Sequence, residues 1–453
     1  MKRVMTLVLL VLLLVGSVFV SGAVQDKMIG VNVVLKTDIT NAILAELSRF
    51  GRVRDMVPAL DAVTMQARAS ELASIQAMPF VASASPDAER TGAPVDTVAA
   101  TDLVEGLSTW DLDAINVTED GFHNRQVPQD GTGVYVAVLD TGLLDSWRQY
   151  FPQQRIAEKY AISFGGGGGD VGNVSSQPNK WQHDQNSHGT HVTSTILGYS
   201  HNGTPINGVA PRATVIPVKV LNQNGSGWSS VIARGIMYVA DLKAGPLAGS
   251  PVVINMSLGG PSLDPLEKAA IDYAISKGVI IVASAGNAGT AGMGYPGAYG
   301  PVISVAASGW VGEWTSSIWW YASGVADPTN PYDFYIADFS SRQKTGQDLD
   351  VAAPGSWVVG PYQTNSGKTS YFFLGGTSMA SPHVAGIVAL MAQKFPALTA
   401  TQAEGILEAS ATVLPAGCRN VRNPGGGTDT FCWGADATGK GLATANAALA
   451  ITP

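Results

Sequence analysis

Apolar residues first gather in an almost unbroken run from Val4 to Val20, and the pattern then changes to short segments of mixed character from Lys27 to Ser85. Within these segments the periodicity predicts strands at 28–35, 53–57, 62–66 and 80–84 and helices at 40–50 and 70–77. The order βαββαβ implies an antiparallel sheet with two helices on one face, a small domain of its own at 27–85. Residues 86–108 lose the periodicity and gain Pro, Asp, Thr and Ala. They read as an exposed linker, the place where proteolytic trimming is easiest.

From Val134 onward the rhythm is different. Continuous apolar runs at 135–139, 214–221, 252–256, 279–284 and 302–307 suit parallel strands covered on both faces. Helical patterns at 191–197, 228–242 and 265–277 lie between them, the last beginning three residues after Ser262, as a capped helix would. The fold class implied is α/β: a doubly wound, mostly parallel sheet with helices on both faces, spanning 109–453. Its active site belongs at the C-terminal ends of the strands. Two stretches break the rhythm. The glycine run 165–169 lacks the Lys-Ser/Thr of a phosphate-binding loop and reads as a flexible surface loop. Residues 310–339 carry Trp310, Trp314, Trp319, Trp320, Tyr321, Tyr332, Phe334 and Tyr335, an insertion that reads as a satellite apolar cluster rather than a binding surface.

Composition narrows the function. A formal net charge of −8, with no Lys/Arg-rich run, gives no field for holding nucleic acid. The N-terminus places Lys2 and Arg3 before the apolar run and ends it with Ser21-Gly22-Ala23, small residues suited to cleavage. Residues 1–23 therefore read as a secretory signal peptide, against the alternative of an uncleaved membrane anchor, and export to the extracellular space is expected. No later stretch is apolar for long enough to span a bilayer. The two cysteines, Cys418 and Cys432, most simply form one local disulfide in an exported chain, the alternative being two free buried thiols.

The candidate chemistry sits at the strand ends. Asp140 closes the first apolar run and is followed by Thr141-Gly142. His188 and His191 open a small-residue helix, and Ser378 follows Gly375-Gly376-Thr377 at another helix start, with Pro382 expected in the first turn. A serine there either caps the helix or serves as a nucleophile. Two chemistries are open to the histidines: a metal site using His183, Asp184, His188 and His191, or a general base paired with Asp140 and Ser378. No His-Glu-x-x-His spacing supports the metal, whereas all three members of a triad are present. Asn287, after the apolar run 279–284, offers a side-chain amide that could join the Ser378 N–H as an oxyanion donor.

Asp140-Thr141-Gly142, His188-Gly189-Thr190-His191-Val192, Ala285-Gly286-Asn287 and Gly376-Thr377-Ser378-Met379-Ala380-Ser381-Pro382-His383, in this order, resemble the subtilisin family of secreted serine endopeptidases. The resemblance covers residue 131 to the end. It implies Asp140, His188 and Ser378 as the triad, Asn287 as the oxyanion donor, polypeptides as substrates and a monomeric enzyme. Residues 27–85 are similar to the family's inhibitory propeptide, which implies an intramolecular chaperone and inhibitor removed by self-cleavage. Gly225-Ser226-Gly227 and Ser257-Leu258-Gly259 resemble the segments that flank an extended substrate. Gly294 matches the floor of the pocket for the residue before the cut, and an uncharged pocket there favours large apolar or aromatic side chains. Trp228 would cover a second apolar pocket. Asn202 with the carbonyls of Thr204 and Ile206 resembles the family's calcium loop, although Gln149 stands where a carboxylate is expected, with Asp145 as no more than a candidate substitute.

Overall fold

The computed structural model describes residues 26–100, 108–119, 124–168, 174–201, 203–320, 324–362 and 370–453. The signal-peptide reading, Gly169, Tyr321 and Asn202 lie outside the described residues.

The N-terminal part runs β1 (Met28–Leu35), α1 (Asn41–Leu47), β2 (Gly51–Val57), β3 (Ala62–Arg68), α2 (Leu72–Gln76) and β4 (Val81–Pro86). This is the expected βαββαβ order, in a four-stranded antiparallel sheet ordered β2-β3-β1-β4. Thr40 caps α1 by accepting from the Ile43 N–H at 3.3 Å. Val31, Val33, Leu47, Val63, Met65 and Ile75 form its core. Val57 and Ala62 join the core of the following sheet instead.

The chain continues through β5 (Glu89–Thr91), β6 (Asp96–Ala99) and α3 (Trp110–Ala114) into the large sheet. Its first strands are β7 (Tyr135–Asp140), β8 (Ile162–Gly165) and β9 (Ser175–Ser176). Then come α4 (His188–Leu197), the hairpin β10 (Tyr199–His201) and β11 (Thr204–Ile206), β12 (Thr214–Lys219), β13 (Ser226–Trp228), α5 (Ser229–Ala244), β14 (Val252–Met256), α6 (Pro265–Ser276) and β15 (Val279–Ser284). The rest comprises β16 (Ile303–Trp310), β17 (Phe334–Ile336), β18 (Val351–Pro354), β19 (Val358–Pro361), β20 (Tyr371–Gly375), α7 (Thr377–Lys394), α8 (Ala400–Ser410), the hairpin β21 (Gly417–Arg422) and β22 (Thr428–Trp433), and α9 (Ala445–Ile451).

The central sheet is ordered β17-β16-β15-β14-β7-β12-β8-β9, with β18 also on β16. Pairing is parallel except at the edges, where β17 and β9 run antiparallel. Alternate residues of each strand enter different cores, as the pleat requires. Val136 and Val138 face the core that includes α4, α7 and α9, while Ala137 and Leu139 face the one that includes α5 and α6. The doubly wound expectation therefore stands.

Three local readings change. Asp264, not Ser262, caps α6, accepting from Leu266 N at 2.9 Å and Glu267 N at 3.2 Å. The glycine run is not a free surface loop at its described end: Gly167 and Gly168 are buried, and a Cβ on Gly168 would lie 2.3 Å from the Trp228 ring. The aromatic insertion joins the main core. Trp310 lies against Trp110 with centroids 6.2 Å apart, Trp319 against Phe373 at 5.0 Å, and Trp310, Trp319, Phe334 and Tyr335 are buried. Cys418 and Cys432 face each other across β21 and β22, with Cα atoms 4.1 Å apart, and are disulfide-bonded.

Candidate active site

Asp140 is the last residue of β7 and is fully buried. Its carboxylate accepts from the Thr141 N–H at 2.6 Å and faces His188 Nδ1 with both oxygens, at 2.8 and 2.9 Å. His188 begins α4 directly after Ser187, which holds a left-handed φ of 73°. Asp184 fixes that turn by accepting from Ser187 N at 2.7 Å and Thr190 Oγ1 at 3.0 Å. Gly189 must be glycine, because a Cβ there would lie 2.4 Å from the Gly142 carbonyl. The result is an imidazole pinned on one side and unpartnered at Nε2 on the other.

Ser378 reaches the same place from the other direction. Gly376 precedes α7, so Ser378 is the second helical residue and not its cap. Pro382 falls inside the helix rather than in its first turn. The Ser378 hydroxyl donates to the Ser257 carbonyl at 3.2 Å and not to His188. Beside it, Asn287 Oδ1 accepts from Thr377 N at 2.9 Å and Thr377 Oγ1 at 2.8 Å. That pairing fixes the amide orientation and leaves Asn287 Nδ2 free to donate.

Ser378, Asn287, Gly294, Gly259 and Met293 line a cavity of about 470 Å³ whose described lining holds no ionisable side chain. Across its mouth lies the segment expected to be an exposed linker. Strand β5 pairs antiparallel with β13, with Ser226 opposite Thr91 and Gly227 opposite Arg90. On its other edge Thr91 exchanges both backbone hydrogen bonds with Gly259, at 3.0 and 2.9 Å. The Gly92 N–H donates to the Gly225 carbonyl at 2.8 Å, Ala93 lines the cavity, and the Val95 N–H donates to the Gly375 carbonyl at 2.7 Å. Strand β6 then pairs with β20. Gly225, at φ 74°, leaves room for this strand, since a Cβ there would lie 2.5 Å from the Gly92 carbonyl. The two flanking segments read from the sequence thus enclose an extended chain, and that chain is the protein's own.

Among the described residues, the histidines do not assemble into a metal site. Burial, with the neighbouring His188, pushes the His191 imidazole down to about 3, and its Nε2 sits 3.1 Å from the Val358 carbonyl. His183 is exposed. Among the described residues, the three potential ligands that converge are Asp348, Asp350 and Glu404, with ligand atoms within 4.8 Å of one another.

The sequence reading missed the residues that hold the segment in place. Asp87 accepts from Asn32 Nδ2 at 3.0 Å, Ser229 Oγ at 2.8 Å, and Ser230 N at 2.9 Å and Oγ at 2.6 Å. Arg90 and Glu267 form an ion pair at 2.5 Å with both side chains fully buried. Burial raises the Glu267 pKa, against the pull of Arg90. A signal existed: Glu267 lies on the stripe of Ala270, Ile271 and Ala274 that α6 buries, where an acid needs a partner.

An α/β fold carrying this arrangement at its strand ends is that of a serine endopeptidase of the subtilisin type. Residues 131–434 match the profile described as "Subtilase family", and the chain belongs to that family. It is 36% identical over 288 residues to subtilisin DY of Bacillus licheniformis, covering 63% of this chain and 85% of that relative. To thermitase of Thermoactinomyces vulgaris it is 34% identical over 274 residues, covering 59% and 80%. Among solved structures, fervidolysin from Fervidobacterium pennivorans, described as a keratinolytic enzyme related to subtilisin, superposes with a TM-score of 0.66. At 24% identity, and covering 94% of this chain and 62% of that one, it speaks to the fold. A psychrophilic protease named S41 gives 0.55 at 30% identity, covering 75% and 98%.

Proposed function

We propose that the chain is the precursor of an exported endopeptidase that cuts polypeptides through an acyl-enzyme formed on Ser378. The observation that carries this reading is His188, held by Asp140 at Nδ1 with Nε2 unpartnered, its Cε1 3.3 Å from where a Cβ on Gly92 would lie, next to Ala93 in the cavity that Ser378 and Asn287 line. For attack, the Ser378 hydroxyl turns from the Ser257 carbonyl to His188 Nε2, which takes its proton as the oxygen bonds to the substrate carbonyl carbon. Asp140 keeps the imidazole in the tautomer with Nδ1–H and stabilises the imidazolium. Asn287 Nδ2 and the Ser378 N–H receive the oxyanion. His188 then gives the proton to the leaving amine, and water repeats the sequence on the ester.

Substrate would lie where residues 89–95 lie now, gaining main-chain hydrogen bonds from both flanking segments whatever its sequence. The uncharged cavity beside Ala93 suits a large apolar or aromatic side chain before the cut. Residues 27–85 act as inhibitor and folding aid by holding residues 89–95 in the cleft. Export rests on the N-terminal segment. No helix among the described residues is long and apolar enough to cross a membrane.

A calcium ion has a weak fit at the described residues 203–206. Thr204 and Ile206 are paired in the β10–β11 hairpin, Asp145 is exposed, and the adjoining cavity sets Arg125, Arg155 and Arg212 against one carboxylate, Asp130. Asp348, Asp350 and Glu404 fit a hard cation better, because Asp350 Oδ1 is buried without a partner. When bound, the ion would neutralise these carboxylates and so support stability.

A fluorophosphonate tests the reading directly. The matured enzyme should lose activity with one adduct on Ser378, and a zinc chelator should leave activity intact. Labelling elsewhere, or inactivation by the chelator alone, would point to different chemistry.

A further inference from the structure

We infer that Glu267 makes this protease selective for arginine at one defined substrate position: three residues before the residue whose carbonyl is attacked. The inference rests on the proposal above that residues 89–95 lie as substrate does. In that register Ala93 is beside Ser378 and Arg90 is the residue three before it.

Arg90 is held as a recognised group rather than as a surface side chain. Its Nε donates to Glu267 Oε1 at 3.1 Å and Oε2 at 3.2 Å, and one terminal nitrogen donates to Oε2 at 2.5 Å and to the Ser262 carbonyl at 2.9 Å. The other terminal nitrogen donates to the Glu89 carbonyl, a main-chain group that any substrate would also bring. Both Arg90 and Glu267 are 0% exposed. Everything that grips the guanidinium from the enzyme side, Glu267 and Ser262, lies on α6 or the loop before it and remains after residues 27–93 have gone.

The carboxylate has one occupant. Among the described residues its hydrogen-bond donors all come from Arg90, and the nearby Asp264 is itself acidic and committed to capping α6. A leucine in this position would seal a bare carboxylate away from water, which is costly, whereas a guanidinium satisfies both oxygens through its fork. Lysine supplies the charge without the fork and so ranks between them.

The test uses the matured enzyme and quenched fluorescent peptides of the form Xaa-Thr-Gly-Phe-Ser, cut after Phe, with Xaa as Arg, Lys, citrulline or Leu. Citrulline keeps the shape of arginine and removes its charge. The expected order in kcat/KM is Arg, Lys, then citrulline and Leu, with Arg at least about tenfold above Leu. In Glu267→Gln the Arg-to-Leu ratio should collapse toward one. Equal kcat/KM for Arg and Leu in the wild type overturns the inference even if the variant fails to mature, as does a ratio unchanged in the variant. If cutting occurs after another residue of all four peptides, the assumed register fails and the selectivity falls with it. Cutting after Phe without Arg preference leaves the register standing and sinks the subsite alone.

Discussion

Pro382 stands four residues after Ser378 in α7 and has no N–H to give to the Ser378 carbonyl, which accepts instead from Ser257 Oγ at 2.8 Å. The proline that the sequence suggests as a first-turn residue thus opens a helical carbonyl to a second segment. Ser257 ties the segment 257–259 to α7, the helix that carries Ser378, and it also meets Ser381 Oγ at 2.8 Å. Ser257→Ala should destabilise the fold by about 1–3 kcal/mol, because a buried acceptor is left without a donor. Urea unfolding in a Ser378→Ala background, where self-digestion is absent, reads this cost. An unchanged midpoint would mean that water replaces the hydroxyl.

Asp140 and Asn287 should have separable kinetic signatures. Asp140→Asn should lower kcat on the order of 10⁴-fold by favouring the wrong imidazole tautomer, with little effect on KM. Asn287→Ala should lower kcat about 10²–10³-fold, a magnitude taken from subtilisin itself, a relative of this chain. Steady-state kinetics on one peptide distinguishes them from binding defects. A rise in KM at constant kcat would assign either residue to substrate binding instead.

The N-terminal domain is held by more than the segment in the cleft. Arg234 grips Asp55 through two donors, at 2.6 and 2.7 Å, on the flank where α5 meets the domain. Paired geometry of this kind exceeds a single surface ion pair. Asp55→Ala in the isolated residues 24–93, added to mature enzyme, should weaken inhibition about tenfold. Inhibition constants unaffected by the change would remove Arg234 from the interface energetics.

Glu313 gives the stability a pH dependence. It accepts from Trp310 N at 2.9 Å and Tyr335 Oη at 2.6 Å, yet burial outweighs both and pushes its carboxyl up to about 8. An unfolded glutamate titrates at about 4.3. Between that value and about 8 the folded chain therefore binds the proton more tightly than the unfolded chain does. The stability this contributes is complete below the window and is lost as pH rises through it, at up to ~1.4 kcal/mol per unit. Glu313→Gln should unfold at nearly the same urea concentration as its parent near pH 5 and at a higher one near pH 8. Parallel pH profiles would refute the assignment.

The fold was legible because its signals were local. The apolar strand runs 252–256 and 279–284 end where β14 and β15 end, since strands buried on both faces are apolar almost throughout, with Asn255 and Ser284 the exceptions. Asp140, His188, Asn287 and Ser378 stand out in the sequence as candidates because each lies at a strand end or a helix start within a glycine-bearing motif. What was not legible depends on distant partners. Arg90 is one cation in a stretch without periodicity, and only the acid on α6, 177 residues later, shows why it is buried. Asp87 likewise has partners on β1 and α5 that no local pattern announces. The order of residues 87–99 follows from those pairings and from the strand edges of β13 and β20, not from their own composition.

The central claim is that Ser378 is the nucleophile and that the precursor matures by its own activity. Expressing the complete precursor beside its Ser378→Ala variant tests both at once. The wild type should shorten by about the length of residues 24–93 and hydrolyse peptides, while the variant stays long, with hydrolysis at background. A variant that matures in the absence of other proteases, or that cuts peptides as the wild type does, would contradict the account.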